Sequence, residues 1–550
     1  MLDSECISSN DSFQRKNSAA SGAGDGREHA AVEREMDLVG KPTGEATAMT
    51  ERTSEQASES QEKSAARPPK EAQAKSGEES AVETTGRSRG ARQDFTVGSI
   101  PKHLITFAVP LFLGNALQAA YNTVDSIWVG RYLGSQGLAA VSVSGPVIFA
   151  LVALVMGIGM ATTTLVAQYS GAGQPDMVKR TIATSGGLML LLGIILSLLG
   201  VFLRTPILLL INTPPDVLDM ASGYLGVFMA GLLAMFFYNG FSAIMRGLGD
   251  SRTPLVYLAY ATVLNIILDP FMIFGWGPFP EMGVAGAALA TVIAQAVSGI
   301  LGIRYMVRSG LVKLDRSLLA LDGFIAKKLF TIGLPAGVQQ VVVSMGMLTL
   351  TSIVNRFGSA VMAAFGVGGR LDQFAFMPAM SVGLSVTALV GQNLGAGLHE
   401  RVKKTVKWAA YLTVGITSVV SLVVLVMPGV LISIFNSEPG VLIEGAAYLR
   451  IVGSAYVPYA LMFMLSGVLR GAGDTVPSMF ISLVTLWLVR IPVAAYLSGL
   501  MGSRGIWLAI AISPVIGASL NYAYFRSGRW KNKTVVSSRS VPQPSTEAES

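Results

Sequence analysis

Residues 104–130, LITFAVPLFLGNALQAAYNTVDSIWVG, decide how the chain folds. The stretch holds 27 residues and a single charge, Asp125. As a helix it would extend roughly 40 Å, which exceeds the ~30 Å hydrocarbon layer of a bilayer. A carboxylate inside such a helix costs about 2.5–3.5 kcal/mol on insertion scales, so it persists mainly where a cavity or a partner receives it. Asp125 is therefore interpreted either as a paired structural residue or as a membrane carboxylate that binds and releases cations.

The composition of the 550-residue chain is that of a membrane protein with many spans. Hydrophobic residues make up 51% and charged residues only 14%, too few to cover the surface of a soluble fold of this size. The net charge of +7 does not indicate nucleic-acid binding, because the Lys and Arg residues of the apolar region concentrate in alternate loops. The chain has a single cysteine, Cys6, and three histidines, of which two lie outside the apolar segments and His103 lies at the mouth of the first. These counts argue against a disulfide framework, an intramembrane histidine relay or a zinc site.

The chain divides into a polar beginning and a long apolar remainder. Residues 1–95 contain 18 acidic and 13 basic residues with almost no aromatics, so we predict a disordered tail that is not a signal peptide. We place a six-helix bundle at 96–310, a cytoplasmic linker at 311–328, a second six-helix bundle at 329–526 and a cytoplasmic tail at 527–550.

Twelve apolar segments predict an all-α polytopic membrane protein with twelve transmembrane helices. Loops after the even-numbered segments carry most of the Lys and Arg residues, so both termini are predicted to be cytoplasmic. We expect the protein in the plasma (inner) membrane. The segments lie near residues 103–130, 138–167, 181–203, 220–243, 254–276, 283–303, 328–353, 360–391, 408–434, 446–468, 477–499 and 504–525.

The two sets of six segments are copies of each other, offset by 224 residues. Matching pairs are Gln168 with Gln392, Gly171 with Gly395, Asn212 with Asn436, Tyr224 with Tyr448, and Arg246 with Arg470. Because each copy has an even number of spans, the copies share one orientation, and their pseudo-two-fold axis runs along the membrane normal. Two such bundles can enclose a cleft that opens to either side, as in transporters, although symmetry alone leaves a static pore open.

Two repeated motifs are interpreted as structural. RGxGD occurs at 246–250 and 470–474, where its glycines predict a tight cytoplasmic turn. GAG occurs at 171–173 and 395–397, where it predicts helix ends. The chain contains no GxxxxGK[ST] sequence, which argues against direct coupling to ATP.

Acidic residues distinguish the two copies. Of the 14 acids between residues 96 and 526, only Asp125, Asp269 and Asp372 fall well inside apolar segments. The counterpart of Asp125 lies near Thr349 and Leu350, and both are uncharged. The prominent acids therefore belong to the first bundle. For Asp372 we favour internal charge pairing, with Arg370 two residues away and Arg490 in the eleventh segment as candidates.

The fifth segment carries a candidate cation site. Asn265 and Asp269 are four residues apart and share a helix face. Pro270 cannot donate to the carbonyl of Ile266, which leaves a further free acceptor. In the eleventh segment Trp487 replaces this asparagine, and Ile491 replaces the aspartate. Such oxygens suit a small cation, or a network that holds a proton. Tyr224 and Thr291 could add hydroxyl groups.

The chain resembles the MATE (multidrug and toxic compound extrusion) family of the MOP superfamily over about residues 100–525. The resemblance rests on QxxYNxxDxxxVG at 118–130, LAAV at 138–141, the RGxGD junctions, NxxxDP at 265–270, GxAGAAxAT at 283–291 and MPxMSVG at 377–383. It implies export of organic cations by antiport against H⁺ or Na⁺, without a cofactor. It also implies that the coupling cation, Na⁺ included, binds Asp125 and Asp269, with Asn265, Thr291 and Tyr224 as co-ligands.

One branch of the family carries acids in its seventh and tenth helices. In this chain the seventh-segment GLP ends at Pro335 and is followed by AGVQQVVVSMGM, without an acid. The tenth-segment position is Tyr459. The resemblance therefore implies coupling through the first bundle alone.

We predict a monomer that moves small organic cations through an amide-, aromatic- and Met-rich cleft, because Met-rich surfaces repack around varied shapes. The cleft candidates are Gln118, Gln339, Gln340, Met345, Met347, Phe374 and Met377. One alternative is a flippase for a lipid-linked oligosaccharide, whose cleft should be basic. A membrane-embedded enzyme is disfavoured, because HExxH, GxSxG and His/Cys clusters are missing from the sequence. A passive channel would lack uphill export.

Overall fold

The computed structural model describes residues 92–312, 321–533 and 535–536. Nearly all of the predicted polar tail, with Cys6, lies outside these residues, as do the middle of the predicted linker and most of the C-terminal tail. The described residues form sixteen α-helices and no β-strand. The helices are α1 (Ile100–Tyr132), α2 (Gly134–Gly171), α3 (Pro175–Leu210), α4 (Pro215–Ala230), α5 (Leu232–Gly247), α6 (Arg252–Phe274), α7 (Gly283–Arg308), α8 (Gly323–Val354), α9 (Ser359–Gly395), α10 (His399–Val426), α11 (Pro428–Ser433), α12 (Pro439–Gly453), α13 (Tyr456–Ala472), α14 (Thr475–Leu483), α15 (Ile491–Met501) and α16 (Ser503–Ser527).

These helices make twelve membrane spans, as predicted. Ten are long apolar helices, counting α14 and α15 as one span through the π-helical residues Val484–Arg490. The other two are bent pairs, α4 with α5 (48°) and α12 with α13 (50°). The first bend lies at Gly231, where an added Cβ would lie 2.1 Å from the side chain of Val292, so the break lets α7 approach closely.

Three boundaries differ from the sequence-based expectations. Asp322 accepts hydrogen bonds from the backbone N–H groups of Phe324 (2.9 Å) and Ile325 (3.2 Å), and this cap starts α8 inside the predicted linker. The predicted ninth segment runs to residue 434, whereas α10 ends at Val426 and Pro428 begins α11. Trp530 is buried although it belongs to the predicted C-terminal tail.

The spans form two lobes, the N lobe (α1–α7) and the C lobe (α8–α16). Each lobe has its own apolar core. The N-lobe core includes Leu225 and Phe236, and the C-lobe core includes Tyr448 and Trp507, whose rings meet edge to face at 4.8 Å. The two-lobed arrangement with twelve spans confirms the predicted architecture.

The lobes meet where α2 crosses α8 and α9. A Cβ on Gly157 of α2 would lie 2.3 Å from the carbonyl oxygen of Gly333 of α8, so only glycine permits this approach. The ends of α2 and α9 cross in a pseudo-symmetric way. A Cβ on Gly171 would lie 1.9 Å from the carbonyl oxygen of Gln392, and a Cβ on Gly395 would lie 1.9 Å from that of Gln168.

The repeated motifs form the predicted turns. The first GAG ends α2, and Gly173 has φ +65°, which favours glycine. Gly249 and Gly473 of the two RGxGD motifs have φ +80° and +82°. Asp250 accepts hydrogen bonds from the N–H groups of the two residues that begin α6, at 3.0 Å each. The turns that the glycines predict are therefore present.

Candidate cation-binding site

Asp125 and Asp269 come together because α1 packs against α6 in the N lobe. Asn265 and Asp269 are fully buried and lie one turn apart on the same face of α6. Pro270 follows directly inside this helix. Since proline has no N–H, the carbonyl of Ile266 loses its usual helical donor. The sequence of α6 therefore places three groups with oxygen acceptors within about one helical turn, opposite Asp125: the Asn265 amide, the Asp269 carboxylate and the carbonyl of Ile266.

Hydrogen bonds connect four of the predicted site residues. Thr291 of α7 donates from Oγ1 to Oδ2 of Asp125 at 3.3 Å. Asn265 donates from Nδ2 to Oδ1 of Asp269 at 3.0 Å. The carboxyl groups of Asp125 and Asp269 also interact with each other. Three helices therefore bring Asp125, Asn265, Asp269 and Thr291 into one cluster of side chains, which we call the N-lobe site.

Several oxygen atoms in the N-lobe site are buried without a hydrogen-bond partner. They are Oδ1 of Asp125, Oδ2 of Asp269, Oδ1 of Asn265 and the hydroxyl of Tyr121. Buried polar atoms are almost always paired, since an unpaired one loses its hydration without replacement. Four such oxygens in one cluster, two of them from carboxylates, make a set of acceptors that a cation or a proton would satisfy.

Tyr121 is the site residue that the sequence analysis missed. It lies on α1 four residues before Asp125, on the same helix face, and its side chain is 4% exposed. The i, i+4 spacing to a membrane aspartate was the available signal. A tyrosine in an apolar helix is common, so the spacing alone does not separate a ligand from a packing residue.

The donor chemistry of the N-lobe site fits H⁺ or Na⁺. Carboxylate, amide and hydroxyl oxygens are hard ligands of the kind that small hard cations take. Two neighbouring buried carboxyls repel each other when both are ionised, so a proton or a cation bound there would stabilise the pair. The described residues contain no cluster of three or more His, Cys, Asp or Glu side chains.

Tyr224 lies close to the N-lobe site without joining it by a hydrogen bond. Its ring stacks on Phe228 with centroids 6.2 Å apart, and its hydroxyl interacts electrostatically with Asp125 and Asp269. In the described part of the chain no hydrogen bond connects it to either aspartate. Its predicted role as a direct ligand therefore has weaker geometric support than that of Thr291.

A cavity of about 330 Å³ lies between the lobes, and we call it the central cavity. Its walls come from α1, α2, α5 and α6 of the N lobe and from α8 and α9 of the C lobe. Two predicted cleft residues, Gln118 and Gln340, line it from opposite lobes. Asn115 and Asn239 add further amides that the sequence analysis did not single out.

The other predicted cleft residues lie elsewhere. Gln339 donates to the carbonyl of Ser478 (3.3 Å) and to Oγ of Ser482 (2.7 Å), so it joins α8 to α14. Met377 is buried, Met345 and Phe374 are exposed, and Met347 lines a different cavity, inside the C lobe.

Comparisons with known proteins identify the family. The family model for MatE matches twice, over residues 110–271 and 335–496, once in each half of the chain. The chain belongs to the MatE family. A probable multidrug resistance protein YpnP of Bacillus subtilis is 33% identical over 448 residues, which are 80% of this chain and 97% of that protein. A probable multidrug resistance protein NorM of Thermotoga maritima is 29% identical, with 81% and 97% covered.

Solved structures of MATE proteins share the fold of this MatE chain. A crystal structure of a MATE protein in the bent conformation has a TM-score of 0.74 at 24% identity, covering 80% of this chain and 98% of that one. Proteins of the MatE family are transporters, so this chain is a multi-pass membrane transporter and not an enzyme.

The third membrane acid of this MatE chain has partners other than those predicted. Asp372 accepts hydrogen bonds from the hydroxyls of Tyr448 (2.6 Å) and Tyr456 (2.5 Å). Arg490 donates from Nε to Oγ of Ser513 at 2.7 Å, and Arg370 is exposed. Among the described residues, no ion pair within 4.0 Å includes Asp372. The charge of Arg490 still acts on Asp372 from a longer distance, so the charge pairing with Arg490 stays a prediction, and the two tyrosines supply the hydrogen-bond donors that the carboxyl needs.

Proposed function

We propose that this MatE transporter exports organic cations by antiport against H⁺ or Na⁺, and that the coupling ion binds the N-lobe site. The observation that carries the proposal is the group of buried, unpartnered oxygens around Asp125 and Asp269. An ion or proton there would neutralise the carboxyl pair and give these oxygens a partner. The multidrug resistance proteins that the chain is similar to support export as the direction of transport.

The N-lobe site performs its task by losing and regaining charge. With the cleft open outward, H⁺ or Na⁺ occupies the site between Asp125, Asp269 and Asn265, with Thr291 oriented towards Asp125. The bound ion weakens the attraction between the acidic lobe and a cationic substrate, which leaves. The loaded transporter then turns inward and releases the ion, and the negative lobe attracts the next cation. This competition is a negative coupling, and it acts equally in both directions.

The membrane potential contributes to this cycle. Each elementary charge that crosses the bilayer gains or loses about 2.3 kcal/mol per 100 mV. In an exchange of one singly charged ion for one singly charged cation these two terms cancel, so the concentration gradient of the ion drives the exit of the cation, and the potential adds to it only where more charge enters than leaves. A passive channel cannot do this, so uphill export separates the two functions.

The central cavity is the proposed substrate route. Gln118 and Asn115 on one lobe face Gln340 on the other, and apolar side chains such as Met156 and Leu384 complete the walls. Amides accept and donate hydrogen bonds, so they accommodate varied substrates without demanding one charge pattern. We propose that the protein works as a monomer in a bacterial plasma membrane, with both termini in the cytoplasm.

The flippase alternative is not favoured. A lipid-linked oligosaccharide carries a pyrophosphate, which several basic side chains should meet. Arg246 is the one basic residue that lines the central cavity of the described chain. The two acids of the N-lobe site would repel such a substrate.

Vesicles reconstituted with the protein test the proposal. Export of a cationic dye against its own gradient is measured under an imposed pH gradient and, separately, under an imposed Na⁺ gradient. The gradient that drives uphill export identifies the coupling ion. We expect Asp125→Asn and Asp269→Asn to abolish uphill export, because each removes one ionisable carboxyl from the site.

Asp219→Asn is the matched control, since Asp219 is exposed near the start of α4. It should export dye as the parent does. If both site variants export dye as well as the control under either gradient, the coupling site has been misplaced.

A further inference from the structure

A second cavity, of about 210 Å³, lies inside the C lobe and plays no part in the proposed coupling site. We call it the C-lobe cavity. Its walls combine a membrane acid, Asp372, and a membrane base, Arg490, with several aromatic rings. The rings belong to Phe365, Phe376, Tyr448, Tyr456 and Tyr459.

The two charged groups of the C-lobe cavity are held apart from each other. Asp372 is fixed by the hydroxyls of Tyr448 and Tyr456, one on each carboxyl oxygen. Arg490 is fixed through Nε by Ser513. Their charges interact, yet no ion pair within 4.0 Å joins them in the described part of the chain. In those residues the two terminal nitrogens of Arg490 have no hydrogen-bond partner.

Opposite charges in a low-dielectric interior attract strongly, so separate anchors on each keep the cavity between them open. A ligand with one negative and one positive group would pair with both Arg490 and Asp372. The terminal nitrogens of Arg490 form a fork that matches a carboxylate. Asp372 retains lone pairs for an ammonium group, since each oxygen accepts one bond in the structure. Tyrosine and phenylalanine rings suit a flat apolar body and a nearby cation.

We propose that the C-lobe cavity binds a small zwitterion with an aromatic body, with its carboxylate on Arg490 and its ammonium on Asp372. This binding site is separate from the N-lobe site, so it stands whether or not the antiport proposal holds. It would let the transporter recognise zwitterions as well as simple cations.

Direct binding to the purified protein tests this proposal without transport. Three radiolabelled probes share an indole ring: tryptophan is a zwitterion, tryptamine a cation and indole-3-propionate an anion. We expect the parent to bind tryptophan about tenfold or more tightly than either single-charge probe, since each lost charged contact weakens binding by about that factor.

The variants should change probe preference and not only affinity. Asp372→Asn should erase the advantage of tryptophan over indole-3-propionate, and Arg490→Gln should erase its advantage over tryptamine. Asp219→Asn, at an exposed position of the other lobe outside both sites, should leave all three affinities unchanged. Size-exclusion profiles establish that each variant is folded. Equal affinities for the three probes in the parent, or equal losses for all three probes in folded variants, would overturn the proposal.

An independent observation concerns the end of the molecule where the lobes cross. Gln168 of α2 donates from Nε2 to the carbonyl of Gly471 at 2.9 Å, and its counterpart Gln392 of α9 donates to the carbonyl of Gly247 at 3.0 Å. Each glutamine thus bonds to the RGxGD motif of the opposite lobe. The side-chain oxygen of Gln392 accepts from the N–H of Phe95 (3.1 Å), and that of Gln168 accepts from the N–H of Val535 (2.7 Å).

We infer that this reciprocal pair of glutamines is a latch that holds the predicted cytoplasmic end of the transporter closed. Both bonds are buried and cross between lobes, so the lobes cannot separate there without breaking them together. The N–H groups of Phe95 and Val535 donate to the side-chain oxygens of Gln392 and Gln168. Segments that lie before the first span and after the last one therefore take part in the latch.

Distance measurements between spin labels test the latch in the full chain. Cys6→Ser removes the native thiol, and Asp176→Cys with Glu400→Cys place labels on exposed, symmetry-related positions of the two lobes. We expect Gln168→Ala with Gln392→Ala to add a population at longer distance, because two inter-lobe bonds are lost.

Gln339→Ala is the matched control, since Gln339 also makes two hydrogen bonds but makes them within the C lobe. It should keep the parent distribution. An unchanged distribution in the double variant, or the same lengthening in the control, would show that the glutamines do not hold this end closed.

Discussion

The two lobes share one scaffold but fill the same internal position differently. In the N lobe, Asp269 and Asn265 of α6 meet Asp125 of α1, and each of these side chains has one buried oxygen without a hydrogen-bond partner. In the C lobe, the counterpart of α6 carries Trp487, whose Nε1 donates to the carbonyl of Val342 on α8 at 3.2 Å. The indole thus makes its own hydrogen bond at the position where the N lobe has unpartnered oxygens.

The backbone differs at the same place. α6 continues through Pro270 as a regular helix, whereas its counterpart adopts seven π-helical residues, Val484–Arg490, before Pro492. π-helical turns are rare and tend to lie at functional sites. Here the π segment ends at Arg490, which lines the C-lobe cavity. The two copies therefore differ in the charges they place here, with two acids at the N-lobe helix face and an acid and a base beside the C-lobe π segment.

The largest effect is expected when the two acids of the N-lobe site are replaced by their counterparts in the C lobe. Asp125→Leu with Asp269→Ile places the counterparts Leu350 and Ile491 at the coupling positions. We expect uphill dye export to fall to the level of empty vesicles, because no ionisable group remains in the site. A folded double variant that still exports dye uphill would mean that the acids of the N lobe do not carry the coupling.

Ion binding should also stabilise the N lobe. A ligand that binds only the folded state adds about 2.7 kcal/mol of stability at 100 times its dissociation constant. We expect the coupling ion, Na⁺ or H⁺, to raise the thermal unfolding temperature of the parent. The Asp125→Leu, Asp269→Ile variant should lose this response. An equal shift in both proteins would place ion binding elsewhere.

Sequence reasoning reached the N-lobe site because its signals are local. Asn265 and Asp269 lie one turn apart on one helix, and a membrane carboxylate is conspicuous in an apolar stretch. The hydrogen-bond partners of Asp372 could not be predicted from the sequence. Tyr448 and Tyr456 lie on helices far along the chain, and only the packing of those helices decides which side chains contact Asp372. The bends within the fourth and tenth spans were missed for the same reason, as apolar periodicity continues across them.

Tyr121→Phe tests whether the Tyr121 hydroxyl contributes to ion binding at the N-lobe site. The change removes one unpartnered buried hydroxyl and keeps the ring. We expect the apparent affinity for the coupling ion to fall about tenfold, the effect of one hydrogen bond to a charged group, while the unfolding temperature without the ion stays the same or rises. Ion titrations of unfolding temperature measure both. An unchanged ion affinity would make Tyr121 a packing residue.

The smallest expected effects are those of two single variants, each of which removes one hydrogen bond from a different lobe. Thr291→Val removes the bond to Asp125 (3.3 Å), and Trp487→Phe removes the bond to Val342 (3.2 Å). Each loss should lower the free energy of unfolding by about 0.5–1.5 kcal/mol. Only Thr291→Val should also weaken ion binding, by a few-fold, because only that hydroxyl orients a carboxyl of the coupling site. Ion titrations of export distinguish the two, and a similar change in ion affinity from Trp487→Phe would mean that the C lobe shares in the coupling.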